Sequence, residues 1–309
     1  MKRLVLMSIP ALINTVRKNI LEYANGVAIL LLIAGFISCD KRSSFDFDDS
    51  EDEIEIIESD EVESEEDSNQ NIDYYTDNEH IKYVSLNGAI LDRYFYDHSG
   101  KIVKYDGRNT SKKYIYDDDE KLIKEVGTNS WSFLTNPIDH YALYTYDKDG
   151  RLSKMDYYSN ESRNGFEHRT TQTFEHDGKF IIKIMWETVY YPEPSIGIDV
   201  FTYDDHGNVA SKKHFSCIPG DEPELSFETN YIYDSYINPY RIFSMSGNPG
   251  LYTNVNNIVE TTTIYHGDYG IYDGIVNKTT VSKTSYQYNE NGYPIKVKTD
   301  DGVEFEYHY

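Results

Sequence analysis

The stretch YTYDKDGRL, from Tyr144 to Leu152, decides the fold of this chain. It places two aromatic residues one position apart, then Asp, then Gly three residues later, then a basic and an apolar residue. Relatives of this stretch include YFYDHSGKI, which begins at Tyr94, and FTYDDHGNV, which begins at Phe201. A recurrence at about 30 residues over most of the series indicates a repeat architecture. The second aromatic residue of each copy, called the anchor position, falls at Tyr96, Tyr116, Tyr146, Phe174, Tyr203, Tyr233 and Tyr288.

Each copy predicts a β-hairpin. An Asp three residues before a Gly suits a type I turn that ends with Gly in the left-handed region, with the Asp side chain capping the turn. Glu120 and Ile237 replace this Gly in two copies, so those turns should be strained or differently built. The predicted register pairs Tyr146 with Leu152 and Tyr144 with Lys154. In the same copy it pairs Asp147 with Arg151. In other copies it pairs Asp97 with Lys101, Asp117 with Lys121, Glu175 with Lys179, Tyr94 with Lys104, Tyr114 with Lys124, Tyr231 with Arg241 and Tyr286 with Lys296.

The predicted fold class is all-β, with antiparallel β-hairpin repeats forming a long, twisted, largely single-layer sheet. Aliphatic residues are few and the chain has 30 tyrosines, which suit a half-wet sheet surface because the ring packs while the hydroxyl reaches water. A rolled half-barrel is the alternative. In an open sheet the final strand, VEFEYHY, would be an exposed edge that could pair with another chain.

The YxYDxxGxL signature resembles the YD repeat of the Rhs and teneurin-like families, in which many copies form a large hollow shell. The stretch YQYNENGYPIKVK, from Tyr286 to Lys298, is similar to small Bacteroidota lipoproteins of unknown function that are built of β-hairpin repeats. The resemblance covers roughly residues 75–309. It implies a fold and an outer-membrane location, and it carries over no catalytic residue.

The N-terminal part predicts a lipid anchor and a tether. Residues 1–38 end in an uncharged run, GVAILLLIAGFIS, which has the length of a signal-peptide core and is short for a membrane span. Cys39 follows a small residue, which resembles a bacterial lipoprotein signal with Cys39 as the lipidated residue; an uncleaved signal anchor is the alternative. Residues 39–71 are predicted to form a disordered acidic tether that resembles the export signal of surface lipoproteins. Residues 72–309 form the predicted hairpin domain.

Composition and motifs argue against several function classes. The net charge of -24 disfavours nucleic-acid binding, which needs clustered Lys and Arg. Asp147, Asp149 and Gly150 look like the start of a calcium loop, but a turn explains them better because the bidentate Glu is missing. We expect His98, His176 and His206 to be exposed in turns and Cys217 to be an inert packed thiol. No catalytic residue, metal site or cofactor is predicted.

Aromatic residues outside the regular repeat are the candidate ligand-stacking residues: Trp131, Trp186, Tyr190 and Tyr191. We expect exposed aromatic rings beside Asp and Asn to suit stacking on sugar rings, whereas the alternative is that both Trp residues fill a local core. The sequence predicts a surface-exposed lipoprotein that acts as a non-catalytic binding module for glycan or protein. The alternative is a structural or assembly lipoprotein that pairs with another outer-membrane protein, and a hydrolase is the third hypothesis.

Overall fold

A computed structural model describes residues 79–130, 137–161, 164–189, 194–217, 219–266 and 278–309. Cys39, the predicted signal peptide and the acidic tether lie outside the described residues. The described part contains sixteen antiparallel strands and one 3₁₀ helix, Pro239–Ser246. The strands are β1 Tyr83–Leu86, β2 Ala89–Tyr96, β3 Ile102–Gly107, β4 Thr110–Tyr116, β5 Leu122–Asn129, β6 Ile138–Tyr146, β7 Leu152–Ser159, β8 Glu167–Asp177, β9 Phe180–Thr188, β10 Ser195–Tyr203, β11 Val209–Cys217, β12 Glu224–Ile237, β13 Asn256–Tyr265, β14 Thr279–Tyr288, β15 Pro294–Thr299 and β16 Glu304–His308.

The strands form a closed barrel in which each strand pairs with its neighbours in the chain. The barrel closes where β16 pairs with β1, with Tyr307 opposite Val84 and Phe305 opposite Leu86. The predicted single-layer sheet is therefore wrong, and the half-barrel alternative is wrong as well because the sheet closes completely. The final strand is not an open edge, since it pairs with β15 on its other side. Closure satisfies the backbone hydrogen-bonding groups that an open edge would expose.

The turns follow the sequence pattern closely. Gly100, Gly150 and Gly207 have φ values of 81°, 76° and 89°, as the left-handed position of the turn requires. The Asp147 side chain caps its turn, because Oδ1 accepts hydrogen bonds from the backbone N–H groups of Asp149 and Arg151 at 2.9 Å each. The turn interpretation of the calcium-loop motif is therefore confirmed.

The two copies without Gly also behave as predicted. Glu120 adopts a φ of 64°, so its turn keeps the same shape at the cost of backbone strain. The Ile237 copy has no tight turn, and residues 238–255, which include the 3₁₀ helix, connect β12 to β13 instead.

The register prediction is correct beside the turn and wrong beyond it. Tyr146 pairs with Leu152, as predicted, but Tyr144 pairs with Met155 and Lys154 pairs with Thr145. The cause is a β-bulge: one extra residue after the apolar position shifts the remainder of the second strand by one. The predicted partners of Tyr94, Tyr114 and Tyr286 are wrong for the same reason. The predicted pair of Tyr231 with Arg241 is wrong because Arg241 lies in the 3₁₀ helix. The predicted pair of Glu175 with Lys179 is wrong because the turn is shorter and Glu175 faces Lys183.

The bulge explains why tyrosine recurs at the anchor position. The Tyr116 hydroxyl donates a 2.7 Å hydrogen bond to the backbone oxygen of Ile102, the residue that precedes the bulge in the preceding hairpin. Tyr146 donates in the same way to Leu122 at 2.9 Å. Each anchor thus ties one hairpin to the one before it. Equivalent bonds join Tyr96 to Ile81, Tyr203 to Ile181 and Tyr233 to Val209. His176 was expected to be exposed in a turn, but its Nε2 atom lies 2.7 Å from the backbone oxygen of Leu152.

The aromatic residues of the repeat point into the barrel and form most of its core. Tyr94, Tyr96 and Tyr114 are 8% exposed or less, so the expected half-wet sheet surface is wrong for these positions. The connection between β12 and β13 packs against them, with Phe243 in ring contact with Tyr94 and Tyr114. Closure of the sheet encloses its inward face, and the tyrosine rings on that face form the core that aliphatic residues would otherwise provide.

The outer face of the barrel carries charged residues on nearly every described strand. Lys124, Lys154 and Glu260 are examples, and each faces away from the buried tyrosines of its own strand pair. Many of these charges form ion pairs with neighbours, such as Lys154 with Asp156 at 2.7 Å. Among the described residues, no helix is long and apolar enough to cross a membrane.

Candidate functional site

The inward face of the barrel changes character along the strands. Near the Asp-Gly turns it is lined by the buried aromatic residues of the repeat. Four residues before the anchor position, the inward residues become small or polar, and several of them are charged. This polar layer consists of Asp92, Lys112, Ala142, Thr170, Asp199, Thr229 and Thr284.

Trp186 lies in the polar half of the barrel, close to the end of β9. Its partner on β10 is Gly197, and the two residues are directly opposite. A β-carbon built on Gly197 would lie 1.5 Å from Trp186 Nε1 and 2.4 Å from Cδ1. The Nε1 edge of the indole therefore lies directly against the Gly197 backbone, on the inward side of the barrel wall. Gly197 creates this orientation because any side chain there would push the indole off the wall.

An ionic network lies beside the indole. Asp199 lies on the same inward face of β10 as Gly197. It forms an ion pair with Lys212 Nζ at 2.6 Å and accepts a hydrogen bond from His214 Nδ1 at 2.8 Å. Asp199 is buried, with a side chain that is 3% exposed, whereas the Lys212 and His214 side chains are each 17% exposed. Both of these point inward, and their residual exposure means that neighbouring side chains do not pack them completely at this position.

A row of aromatic rings continues the site along the barrel wall. The His214 ring is 5.5 Å from the Trp186 ring and stacks on Phe227 at 4.6 Å, and Phe227 is 6.2 Å from Tyr265. Lys212 Nζ lies within 6.0 Å of the Trp186 and Phe227 ring centres. We call Trp186, Asp199, Lys212, His214 and Phe227 the Trp186 site.

A second buried polar cluster lies on β4–β6. Lys112 Nζ is 2.8 Å from Glu125 Oε1, and His140 Nε2 is 4.0 Å from the same oxygen. A β-carbon on Gly127 would lie 2.5 Å from His140 Nε2, so the imidazole also lies over a glycine. Burial lowers the pKa of His140, and the neighbouring Lys112 adds to this effect. The Lys112–Glu125 ion pair is the close contact of this cluster, whereas the buried His140 Nδ1 atom has no hydrogen-bond partner among the described residues.

The structure describes one of the four predicted stacking residues. Trp186 faces inward from a regular strand, whereas we expected it in a longer hairpin or loop; Trp131, Tyr190 and Tyr191 lie outside the described residues and stay predictions. The polar partners Asp199, Lys212 and His214 were missed because their only sequence signal is alternation along β10 and β11. An isolated glycine inside a strand pattern marks a close approach of another group, and Gly197 carried that signal.

Other chemistry has little support in the described residues. They contain no group of three or more His, Cys, Asp or Glu side chains that could hold a metal ion. Cys217, the last residue of β11, is a free, partly buried thiol.

Comparisons with known proteins find similar folds among solved structures. No family model and no curated protein matches it, so no enzyme family is indicated and the likeness to YD repeats stays a resemblance. Solved structures with a similar fold include a porin-like protein from Bacteroides vulgatus, with a TM-score of 0.48, 12% identity and coverage of 74% of this chain and 98% of that one. A porin-like protein from Bacteroides uniformis has a TM-score of 0.39 and 12% identity, and the match covers 74% and 97% of the two chains. Likenesses at this level carry no argument about function.

Proposed function

We propose that this chain is a lipid-anchored, surface-exposed outer-membrane protein that binds a glycan without catalysis, inside the polar half of its barrel. The observation that carries the proposal is the Trp186 indole, which packs against Gly197 on the inward side of the barrel and stays partly exposed beside Lys212 and His214. Sugar rings present apolar C–H faces and polar edges. An indole beside hydrogen-bonding side chains offers apolar and polar groups that are complementary to both.

The charged outer wall supports attachment through a lipid on Cys39 rather than through the strands. Lys or Arg on the lipid-facing surface of a barrel costs about 2–4 kcal/mol at the middle of a bilayer. Outward residues such as Lys113 and Lys124 on β4 and β5, and Lys283 on β14, would each incur such a cost. The barrel is thus suited to water, and the acidic segment 39–71 would hold it away from the membrane surface.

The binding proposal is tested with the full chain carrying Trp131→Phe. The chain has two tryptophans, so this variant leaves Trp186 as its only indole. It is titrated with soluble neutral and acidic oligosaccharides while tryptophan emission is recorded. We expect saturable emission changes with at least one saccharide, and loss of binding by calorimetry when Trp186→Phe is introduced.

Two outcomes contradict the binding proposal. One is the absence of saturable binding to any saccharide, which would redirect the search to a protein partner that co-purifies with the lipidated chain. The other is binding that Trp186→Phe leaves unchanged, which would move the ligand to a different place on the molecule.

The anchoring proposal has a separate test. In a Bacteroidota host, Cys39→Ser should move the chain from the membrane fraction to the aqueous fraction and abolish labelling by a fatty-acid analogue. The matched control is Cys217→Ser, which should leave both unchanged because Cys217 belongs to the barrel. Membrane retention of the Cys39→Ser chain would contradict lipid anchoring and favour the uncleaved signal anchor.

A further inference from the structure

Hydrogen bonding fixes which groups the Trp186 site presents to a ligand. An ionised Asp199 carboxylate can only accept hydrogen bonds, so when the His214 ring is neutral its single proton lies on Nδ1, which is 2.8 Å from Asp199 Oδ1. The Nε2 atom of that ring is then an acceptor, and it makes no hydrogen bond to any described residue. Asp199 thereby orients the ring and selects its tautomer.

Lys212 supplies the opposite hydrogen-bonding role. Its ammonium group has three N–H donors, and the ion pair with Asp199 at 2.6 Å uses one of them. Lys212 and His214 are two residues apart on β11, so both side chains lie on the same face of one strand. A donor and an acceptor therefore lie side by side, next to the Trp186 indole.

We infer that Lys212 and the Nε2 atom of His214 form a hydroxyl-reading subsite, which selects an uncharged saccharide with neighbouring hydroxyl groups. This inference rests on the proposed function. One hydroxyl accepts from Lys212 and its neighbour donates to His214, while the sugar ring packs on Trp186. Asp199 is a positioning residue behind them.

The charge balance of the subsite favours neutral over acidic sugars. The Lys212 ammonium lies against the Asp199 carboxylate, so the pair has no net charge with which to attract a uronate or a sulfate. The chain as a whole carries a net charge of -24, which opposes the approach of an anion. Recognition should depend on hydroxyl groups and respond little to ionic strength.

The first test uses the unaltered full chain and named probes. Cello-, manno- and xylo-oligosaccharides of equal length are compared with oligogalacturonate by calorimetry, at low and high salt. We expect a neutral oligosaccharide to bind at least tenfold more tightly than oligogalacturonate, with little effect of salt. Preferential, salt-sensitive binding of oligogalacturonate would overturn the inference while leaving the proposed glycan-binding function standing. Failure of every probe to bind would overturn both.

The second test uses side-chain replacements that preserve packing. His214→Phe keeps a ring stacked on Phe227 but removes the acceptor, and Lys212→Met keeps an apolar stem but removes the donors. Each should weaken binding of the best neutral probe at least tenfold. Lys213→Met, on the outward face of the same strand, is the matched control and should leave affinity unchanged. Full affinity in folded His214→Phe and Lys212→Met proteins would overturn the inference.

The positioning role of Asp199 has its own spectroscopic readout. In the unaltered chain, nitrogen-15 chemical shifts of the His214 ring should report a proton on Nδ1. Asp199→Asn presents an amide that can also donate, so it should change the tautomer population as well as the affinity. A neutral His214 ring that carries its proton on Nε2 in the unaltered chain would contradict the donor and acceptor assignment.

Discussion

Tyr116→Phe tests whether the anchor tyrosines tie successive hairpins together. The substitution removes one hydroxyl and leaves the ring, so it breaks the 2.7 Å bond to the Ile102 backbone oxygen without creating a cavity. Ile102 is 1% exposed, so its carbonyl loses a partner where water has little access. A buried acceptor without a donor costs about 1–3 kcal/mol. We expect the free energy of unfolding to fall by about 1.5 kcal/mol, and the melting temperature by roughly 3–6 °C for a domain of this size.

The control lies two residues away on the same face of the same strand. Tyr114 is also buried, but its hydroxyl makes no hydrogen bond to a described residue, so Tyr114→Phe should be neutral or slightly stabilising. Urea unfolding followed by far-ultraviolet circular dichroism measures both variants. Equal stability changes for the two variants would refute the view that the hydrogen bond, rather than ring packing, makes tyrosine recur at the anchor.

Three further predictions concern stability. Glu120→Gly should raise the free energy of unfolding by about 1 kcal/mol, because glycine accepts the φ of 64° without strain, whereas Asp119→Gly should give no such gain in the same urea titration. Gly247→Ala should lower it by about 1–3 kcal/mol, because a β-carbon there would lie 2.2 Å from Leu152 Cδ2 at a φ of 71°; an unchanged unfolding midpoint would contradict this packing. Burial raises the pKa values of tyrosines in the folded barrel above the ordinary 10.0, and it raises the pKa of Tyr307 to about 12. The free energy of unfolding should therefore be unaffected by tyrosine ionisation below pH 10 and should fall as the pH rises through the pKa values of the folded state. The last tyrosines to ionise in an alkaline titration should therefore do so together with the loss of circular dichroism, and complete tyrosine ionisation without unfolding would contradict this prediction.

The Trp186 site also makes Gly197 a direct probe of ligand geometry. Gly197→Ala should favour strand backbone slightly but force the indole off the wall, so tryptophan emission and saccharide binding should change while the barrel stays folded. Gly107→Ala is the matched control, because its β-carbon would displace Tyr105 instead. Unchanged emission in Gly197→Ala would contradict the close contact between the indole and Gly197.

The sequence by itself determined the local structure of this protein. The Asp-x-x-Gly spacing carried the turn type, the left-handed glycine and the strained Glu120, because these depend on a few consecutive residues. It also determined the register next to each turn, such as Tyr146 with Leu152. The register prediction failed beyond that point, because the bulge lies next to a carbonyl that a tyrosine of the following hairpin binds.

Only the tertiary structure decided closure, and with it the site. Whether the strands end in an open edge depends on the twist and curvature accumulated over sixteen strands, which no single hairpin encodes. Closure buries the sheet face that carries the tyrosines, which the sequence predicted to be half exposed to water. It also turns Trp186, Asp199, Lys212 and His214 toward one enclosed space, because alternation along a strand says which residues share a face but not which face becomes the inside.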